Sequence, residues 1–165
     1  MGSNQGDPEA NIEEALHRLE HYGSDLRLDA QSPLYRTEPQ DVRDQPWFVN
    51  SVVRFKVGSD IWAPEGLLSA LQAVEAKMGR VRDVPRGPRI IDLDLLLFGD
   101  VVMQGEYLTL PHPRMMRRAF VLVPLRDIAP GLLLPGGVSI DQALAGLSFG
   151  LDGRNISQKQ GGQPL

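Results

Sequence analysis

Between Ile90 and Phe98 the chain reads Ile-Ile-Asp-Leu-Asp-Leu-Leu-Leu-Phe, an apolar run broken only by two carboxylates. The run lacks Gly and Pro and is rich in aliphatic residues, so it predicts a buried strand. Strand side chains alternate between faces, which sends Ile91, Leu93, Leu95 and Leu97 one way and Asp92 and Asp94 the other. Two neighbouring carboxylates repel each other and resist desolvation, so positive charge has to cover them. Mg²⁺ carrying the phosphates of a nucleotide would supply that charge, because hard divalent cations prefer carboxylate oxygens. Arginines are the other source. The preceding Gly/Pro-containing loop, Gly79 to Arg89, holds four arginines (Arg80, Arg82, Arg86, Arg89) against one acid, Asp83. A cationic loop feeding a carboxylate strand suits a polyphosphate held between metal and guanidinium groups.

The rest of the composition narrows the classes. At 165 residues the chain is long enough for one domain with a proper core, here placed at residues 1–150. The absence of Cys excludes disulfides, zinc thiolate sites and cysteine nucleophiles. No apolar run approaches the ~20 residues of a membrane span, and no signal peptide opens the chain, so a cytoplasmic protein without a membrane partner is expected. The net charge of −4 argues against a general nucleic-acid binder. The positive charge gathers at Arg80–Arg89 and Arg114–Arg118, as capture of a small anion requires.

Along the chain, Asp7 as N-cap and Pro8 at the first position predict a helix over Pro8–His21, with Ile12, Ala15, Leu16 and Leu19 on one face. Strands are expected at Leu26–Tyr35 and Phe48–Val57, separated by a polar loop from Arg36 to Pro46. In the second strand Val49, Ser51, Val53 and Phe55 share one face, and Phe48, Asn50, Val52 and Arg54 the other. A helix over Ala63–Met78 carries Leu67, Leu68, Leu71, Val74, Glu75 and Met78 at helical spacing. Gly99-Asp100 signals a hairpin turn into Val101–Met103. A short helical run at Phe120–Leu125, a weak strand at Leu132–Leu134 and a helix at Asp141–Ala145 follow. Residues 151–165 read as a disordered tail. The fold class is therefore α/β in the α+β sense: a ferredoxin-like βαββαβ sandwich, with helices flanking a mainly antiparallel sheet. Its first strand is missing or truncated, since only Met1 precedes the turn at Gly2. That absence would leave unpaired backbone at the centre of the sheet.

Gly-Pro-Arg-x-x-Asp-Leu-Asp, Gly87 to Asp94, resembles the signature of the 6-hydroxymethyl-7,8-dihydropterin pyrophosphokinase family. Further matches lie in the same order: Gly2-Ser3-Asn4, Tyr35-Arg36-Thr37-x-Pro39, Gln45-Pro46-x-Phe48-x-Asn50, Glu75-x-x-x-Gly79-Arg80-x-Arg82, and Pro111-His112 through Arg118-x-Phe120. The resemblance runs from Gly2 to about Ala145. The chain departs from the family in lacking a strand before Gly2, in having Pro85-Arg86 where an aromatic is common, and in Pro113 after His112.

The resemblance implies transfer of the terminal diphosphate of ATP to a pterin hydroxymethyl group, with release of AMP. It assigns Asp92 and Asp94 to two Mg²⁺ ions, and Arg80, Arg82 and Arg89 to phosphate contact and loop organisation. Gln72, Glu75, Arg82, Arg89, Thr109, His112 and Arg118 fall at nucleotide positions. Thr37, Phe48, Asn50 and Phe120 fall at pterin positions, where the Asn50 amide offers a donor and an acceptor and Phe120 a ring to stack. The partners are two small molecules, ATP and the pterin, and the protein is expected to be a monomer. No Gly-x-x-x-x-Gly-Lys-[Ser/Thr] occurs, which excludes a P-loop kinase. Two other classes carry an acidic pair or this fold: a two-metal nucleotidyltransferase releasing pyrophosphate, and a ferredoxin-like binding module. An RNA-binding module would need a basic face, and Asp92 and Asp94 would repel the nucleic-acid backbone.

Overall fold

The computed structural model describes residues 1–158 other than 24, 59–60 and 82–84. The carboxylate run meets the sheet at one point. Strand β1 (Gly2–Ser3) places Gly2 opposite Asp92, where Gly2 N donates to Asp92 O at 2.9 Å and Asp92 N to Gly2 O at 2.7 Å. Beyond that bridge, residues 93–98 join no ladder among the described residues, so the expected strand contracts to a single pairing. The packing explains why. Ile91, Leu93 and Leu95 sit in one apolar cluster, but Leu96 and Leu97 pack against a second one. The segment therefore leaves the sheet to cross between two cores, and His112 N takes up Leu96 O at 2.9 Å.

The sheet position expected to stand open is occupied by β1, so the first strand is present and short. After β1 come helix α1 (Pro8–Glu20), strands β2 (Leu26–Gln31), β3 (Tyr35–Thr37), β4 (Phe48–Asn50) and β5 (Val53–Val57), and helix α2 (Pro64–Lys77). Asp7 caps α1 by accepting from Ala10 N, as its sequence requires. Gly2 faces Asn50 across the β1–β4 pair, and a Cβ on residue 2 would collide with Asn50 Oδ1. That position has to be glycine or something else must move.

Each long strand expected from the sequence is in fact two. Both break at one level, where Ser32 N donates to Val52 O at 2.9 Å and Val52 N to Ser32 Oγ at 3.0 Å. The Ser32 and Ser51 hydroxyls lie 3.2 Å apart, and Pro33 cannot donate to a ladder. Above the break, β3 and β4 pair within the main sheet; below it, β2 and β5 pair alone. The loop expected from Arg36 consequently starts two residues late, because β3 runs through Thr37.

Gly99-Asp100 makes the expected turn, closed by Val101 N donating to Phe98 O at 3.0 Å, but among the described residues β6 (Met103–Gln104) pairs with β7 (Thr109–Leu110) and not with the carboxylate run. Helix α3 (Ala119–Ile128), the pair β8 (Leu133–Leu134) and β9 (Val138–Ser139), and helix α4 (Ile140–Ala145) follow. The largest correction concerns the tail. Residues Phe149–Asp152 (β10) and Asn155–Gln158 (β11) make a hairpin around Gly153, whose φ is +57°, and β11 joins β3 in parallel. Residues 159–165 lie outside the described residues.

The result is a mixed α+β fold on an antiparallel-dominated sheet ordered β1–β4–β3–β11–β10. On one face α1 and α2 pack with Val49, Ile91 and Leu93; on the other, α3 and α4 pack with Tyr35, Val52 and Ile156. Ile156 is 1% exposed, whereas Leu151 on the adjoining strand is 45% exposed. Ile156→Ala should therefore cost about 2–4 kcal/mol in urea unfolding, and Leu151→Ala no more than about 0.5 kcal/mol. Equal small effects would return this segment to a dispensable tail.

Candidate active site

The register of β3 against β4 puts Tyr35 opposite Asn50 and Thr37 opposite Phe48, so these four side chains share one face. The outer part of that face opens into a cleft of about 1460 Å³. Thr37, Phe48 and Asn50 line it from the sheet, Arg80, Arg89, Asp92 and Asp94 from the carboxylate segment and its loop, and Arg118 and Phe120 from the start of α3. Nine of the residues singled out in the sequence thus meet in one concavity.

Asp92 lies at its centre of charge. One carboxylate oxygen accepts from Arg80 at 2.6 Å, and the other lies 3.2 Å from Arg89 Nε. Burial alone would raise the Asp92 pKa; the Arg89 and Arg80 guanidiniums outweigh it and hold the carboxyl below its ordinary range. Arg80 also pairs with Glu75, a buried residue whose same oxygen accepts from Leu93 N at 2.7 Å. Glu75 thus pins both the arginine and the backbone between the two aspartates, from beneath the cleft rather than within it. Arg89 Nε is buried and makes no hydrogen bond to any described residue, so its ion pair with Asp92 is geometrically incomplete.

Asp94 is more open, with 41% of its side chain exposed. It lies 3.4 Å from Arg118 and 4.0 Å from His112 Nε2. Burial pushes the His112 pKa down, Asp94 opposes this, and Arg118 and Arg114 add to it. The imidazole is therefore neutral near pH 7. Arg114 N–H donates to its Nδ1 at 3.1 Å, which leaves the proton on Nε2, facing Asp94. Burial, and then Arg114, also push the Arg118 pKa down. Two of the cleft arginines near the carboxylates have an aromatic platform: Arg89 sits 4.9 Å from the Phe48 ring and Arg118 5.3 Å from the Phe120 ring.

On the sheet side, Asn50 Nδ2 donates to Thr37 Oγ1 at 2.5 Å, which orients the amide and sets its carbonyl oxygen beside Gly2. Asn4, 4% exposed, joins three segments around this wall. Its Nδ2 donates to Gln45 Oε1 and Pro46 O at 3.0 Å each, and its Oδ1 accepts from Arg89 N at 2.8 Å. The Gly2-Ser3-Asn4 match contained this residue without disclosing its role.

Other expectations fall elsewhere. Gln72 is exposed on α2, and Thr109 sits in the β6–β7 hairpin; neither lines the cleft. His112 adjoins the cleft through Asp94. Arg82 lies outside the described residues. The sequence reading passed over Asp41, which pairs with Arg86 at 3.3 Å and Arg114 at 3.5 Å at the cleft rim. It also passed over Gln158, which lines the same cleft. An isolated acid in a polar loop and a glutamine near the C-terminus carry no periodic signal.

The chain resembles known proteins over most of its length. A family model described as 7,8-dihydro-6-hydroxymethylpterin-pyrophosphokinase matches residues 1–130. The chain is 46% identical over 149 residues to a 2-amino-4-hydroxy-6-hydroxymethyldihydropteridine pyrophosphokinase of Pseudomonas aeruginosa, covering 90% of each chain. It is 42% identical over 147 residues to a protein of the same description from Methylorubrum extorquens, covering 89% of this chain and 90% of that one. A folic acid synthesis protein of Schizosaccharomyces pombe is 42% identical over 135 residues, which are 82% of this chain but 18% of that protein's length.

The charge arrangement makes a pH prediction. Because the Asp92 pKa is lower in the folded state, its contribution to stability is complete above the unfolded carboxyl value of about 3.9. It is lost as pH falls through the lower folded value. Asp92→Asn should therefore flatten the fall in unfolding free energy between about pH 5 and pH 2. Acid limbs of identical slope in urea titrations would refute the assignment.

Proposed function

The chain belongs to the 7,8-dihydro-6-hydroxymethylpterin-pyrophosphokinase family, and from this we infer that the cleft between the two cores is its active site. The enzyme transfers the diphosphate of ATP to the hydroxymethyl group of 6-hydroxymethyl-7,8-dihydropterin, releasing AMP, a step of folate biosynthesis. The hydroxyl oxygen bonds to the β-phosphorus and gives up its proton to solvent, as the bond from that phosphorus to the α-β bridging oxygen breaks and AMP leaves. Transfer of this kind asks a protein chiefly for alignment and for neutralisation of charge on the phosphate oxygens.

In this reading the observation that matters most is the Asp92 carboxylate held between Arg80 and Arg89, with Asp94 and Arg118 across the same cleft. Arg80, Arg82 and Arg89 neutralise the transferred diphosphate. Arg118 and the Nε2–H of His112 bind the nucleotide phosphates, and Glu75 serves the nucleotide side by fixing Arg80; Thr109 and Gln72, which the resemblance also assigns to the nucleotide, lie outside the cleft. The Asn50 amide, oriented by Thr37, reads the pterin edge, with Phe120 and Phe48 as the aromatic surfaces.

The donor set also suits two Mg²⁺ ions at Asp92 and Asp94. No group of three or more Asp, Glu or His residues able to hold a metal occurs among the described residues. Mg²⁺ needs no larger protein cage, because it binds through one or two carboxylates plus substrate phosphates. Bound there, the ions would neutralise phosphate oxygens and acidify the attacking hydroxyl. Asp92 is already ionised, so it is ready for a cation once its arginines turn to phosphate. His17 and His21 line no part of the cleft, and His112 presents a proton, so no histidine serves as general base in this reading.

We place the activity in a single domain, extended by the C-terminal hairpin to Gln158, working as a cytoplasmic monomer. No described helix is long and apolar enough to cross a membrane, and the arginines gathered in the cleft suit small anions rather than nucleic acid.

With ATP, Mg²⁺ and the pterin, AMP should form only when the pterin is present; release of pyrophosphate would point instead to nucleotidyl transfer. Chelation should stop turnover and added Mg²⁺ restore it. Asp92→Ala or Asp94→Ala should each lower kcat by about a thousandfold, equivalent to several kcal/mol, in a protein that still unfolds cooperatively. Retained Mg²⁺-dependent turnover in both variants would overturn the metal assignment.

A further inference from the structure

We propose that Gln158, the last described residue of β11, is a positioning residue that sets the Arg118 guanidinium in the cleft. Its carboxamide clamps the main chain on both sides of Arg118. Gln158 Oε1 accepts from Ala119 N at 2.8 Å, and Gln158 Nε2 donates to Arg117 O at 2.8 Å. The orientation of the amide is unambiguous, because the backbone N–H can only donate and the carbonyl can only accept. Gln158 is 7% exposed and Ala119 is fully buried, so neither bond is an accident of a solvated surface.

The clamp answers a problem in the local backbone. Arg118 is the N-cap of α3, with extended φ and ψ of −121° and 103°, yet its side chain makes no capping bond. An N-cap usually satisfies a free helix N–H with its own side chain. Arg118 cannot, because a guanidinium carries donors and no acceptor; it points instead to Asp94 and lies over Phe120. Gln158 supplies a partner for the first N–H of the helix from another strand. Its own position is fixed by β11 pairing with β3, where Ile156 faces Thr37 and Glu38 N donates to Ile156 O at 2.9 Å. The strand that carries Thr37 is thereby coupled, through one amide, to the residue that reaches Asp94.

This inference rests on the reading of Arg118 as a nucleotide contact, and the test separates the two. Gln158→Met preserves volume while removing both hydrogen bonds, and the loss of two such bonds should lower kcat/KM for ATP by about tenfold. The effect should appear in the KM for ATP more than in kcat, with cooperative thermal unfolding retained. The decisive comparison is the double variant: in an Arg118→Ala background, Gln158→Met should change kcat/KM by less than about twofold, as coupled residues do. A tenfold loss in both backgrounds would mean that Gln158 acts on general stability and would overturn the proposal. So would full activity of Gln158→Met beside an impaired Arg118→Ala. If Arg118→Ala alone leaves ATP kinetics unchanged, the reading of Arg118 fails and the positioning role falls with it.

Discussion

A carboxylate cannot be drawn into a protein without compensation, and Asp92 is compensated by two guanidiniums at once. Much of the architecture serves that pairing. Glu75 on α2 holds Arg80 in place and grips Leu93 N. Asn4, just after β1, holds Arg89 by its backbone. Gly2 makes the only ladder contact of the carboxylate segment among the described residues, and lacks a side chain because Asn50 occupies the space. Two segments distant in sequence, residues 2–4 and helix α2, therefore converge on the arginine-carboxylate run, and the same convergence helps to build the walls of the cleft.

Two sides of the cleft use the same device for different ends. Arg89 lies over Phe48 and Arg118 over Phe120, so each cation is steadied by a ring as well as by a carboxylate. A guanidinium paired in this way can exchange its carboxylate for a phosphate without losing its support. In the free protein the aspartates anchor arginines; in the reaction proposed above they would become oxygen donors once a polyphosphate had drawn the arginines away.

Local signals in the sequence were read well where neighbours in the chain decide the outcome. Asp7 and Pro8 announced α1, and the alternation of Phe48 and Asn50 placed them together on the face that became the cleft wall. The place of Glu75 on an apolar stripe pointed to a role, but not to the one it has in holding Arg80 and Leu93 N. The signals failed where distant groups decide. Nothing in the alternation of Phe48 to Val57 marks Ser51 as a break, because the cause is Ser32 hydrogen-bonding across from another segment. The run from Ile90 to Phe98 reads as one strand, but Leu96 and Leu97 belong to a different core. The C-terminal hairpin is poor in apolar residues, and β11 is held by β3 and by the burial of Ile156. Its Asp152-Gly153 pair was nevertheless a hairpin signal available to a reader.

The parallel pairing of β11 with β3 has a consequence for the order in which this molecule is made. Strand β3 leaves the ribosome early and finds β4 a few residues later, but its other edge stays bare until residues 155–158 have been synthesised. Closing that gap joins segments more than a hundred residues apart, which is slow by the entropy of the intervening chain. The nascent protein therefore carries an open sheet edge beside the future cleft for most of its synthesis, the kind of edge on which other chains template. The last few residues of the described chain both cover that edge and complete the seat of Arg118, so protection from misassembly and acquisition of the finished cleft arrive together.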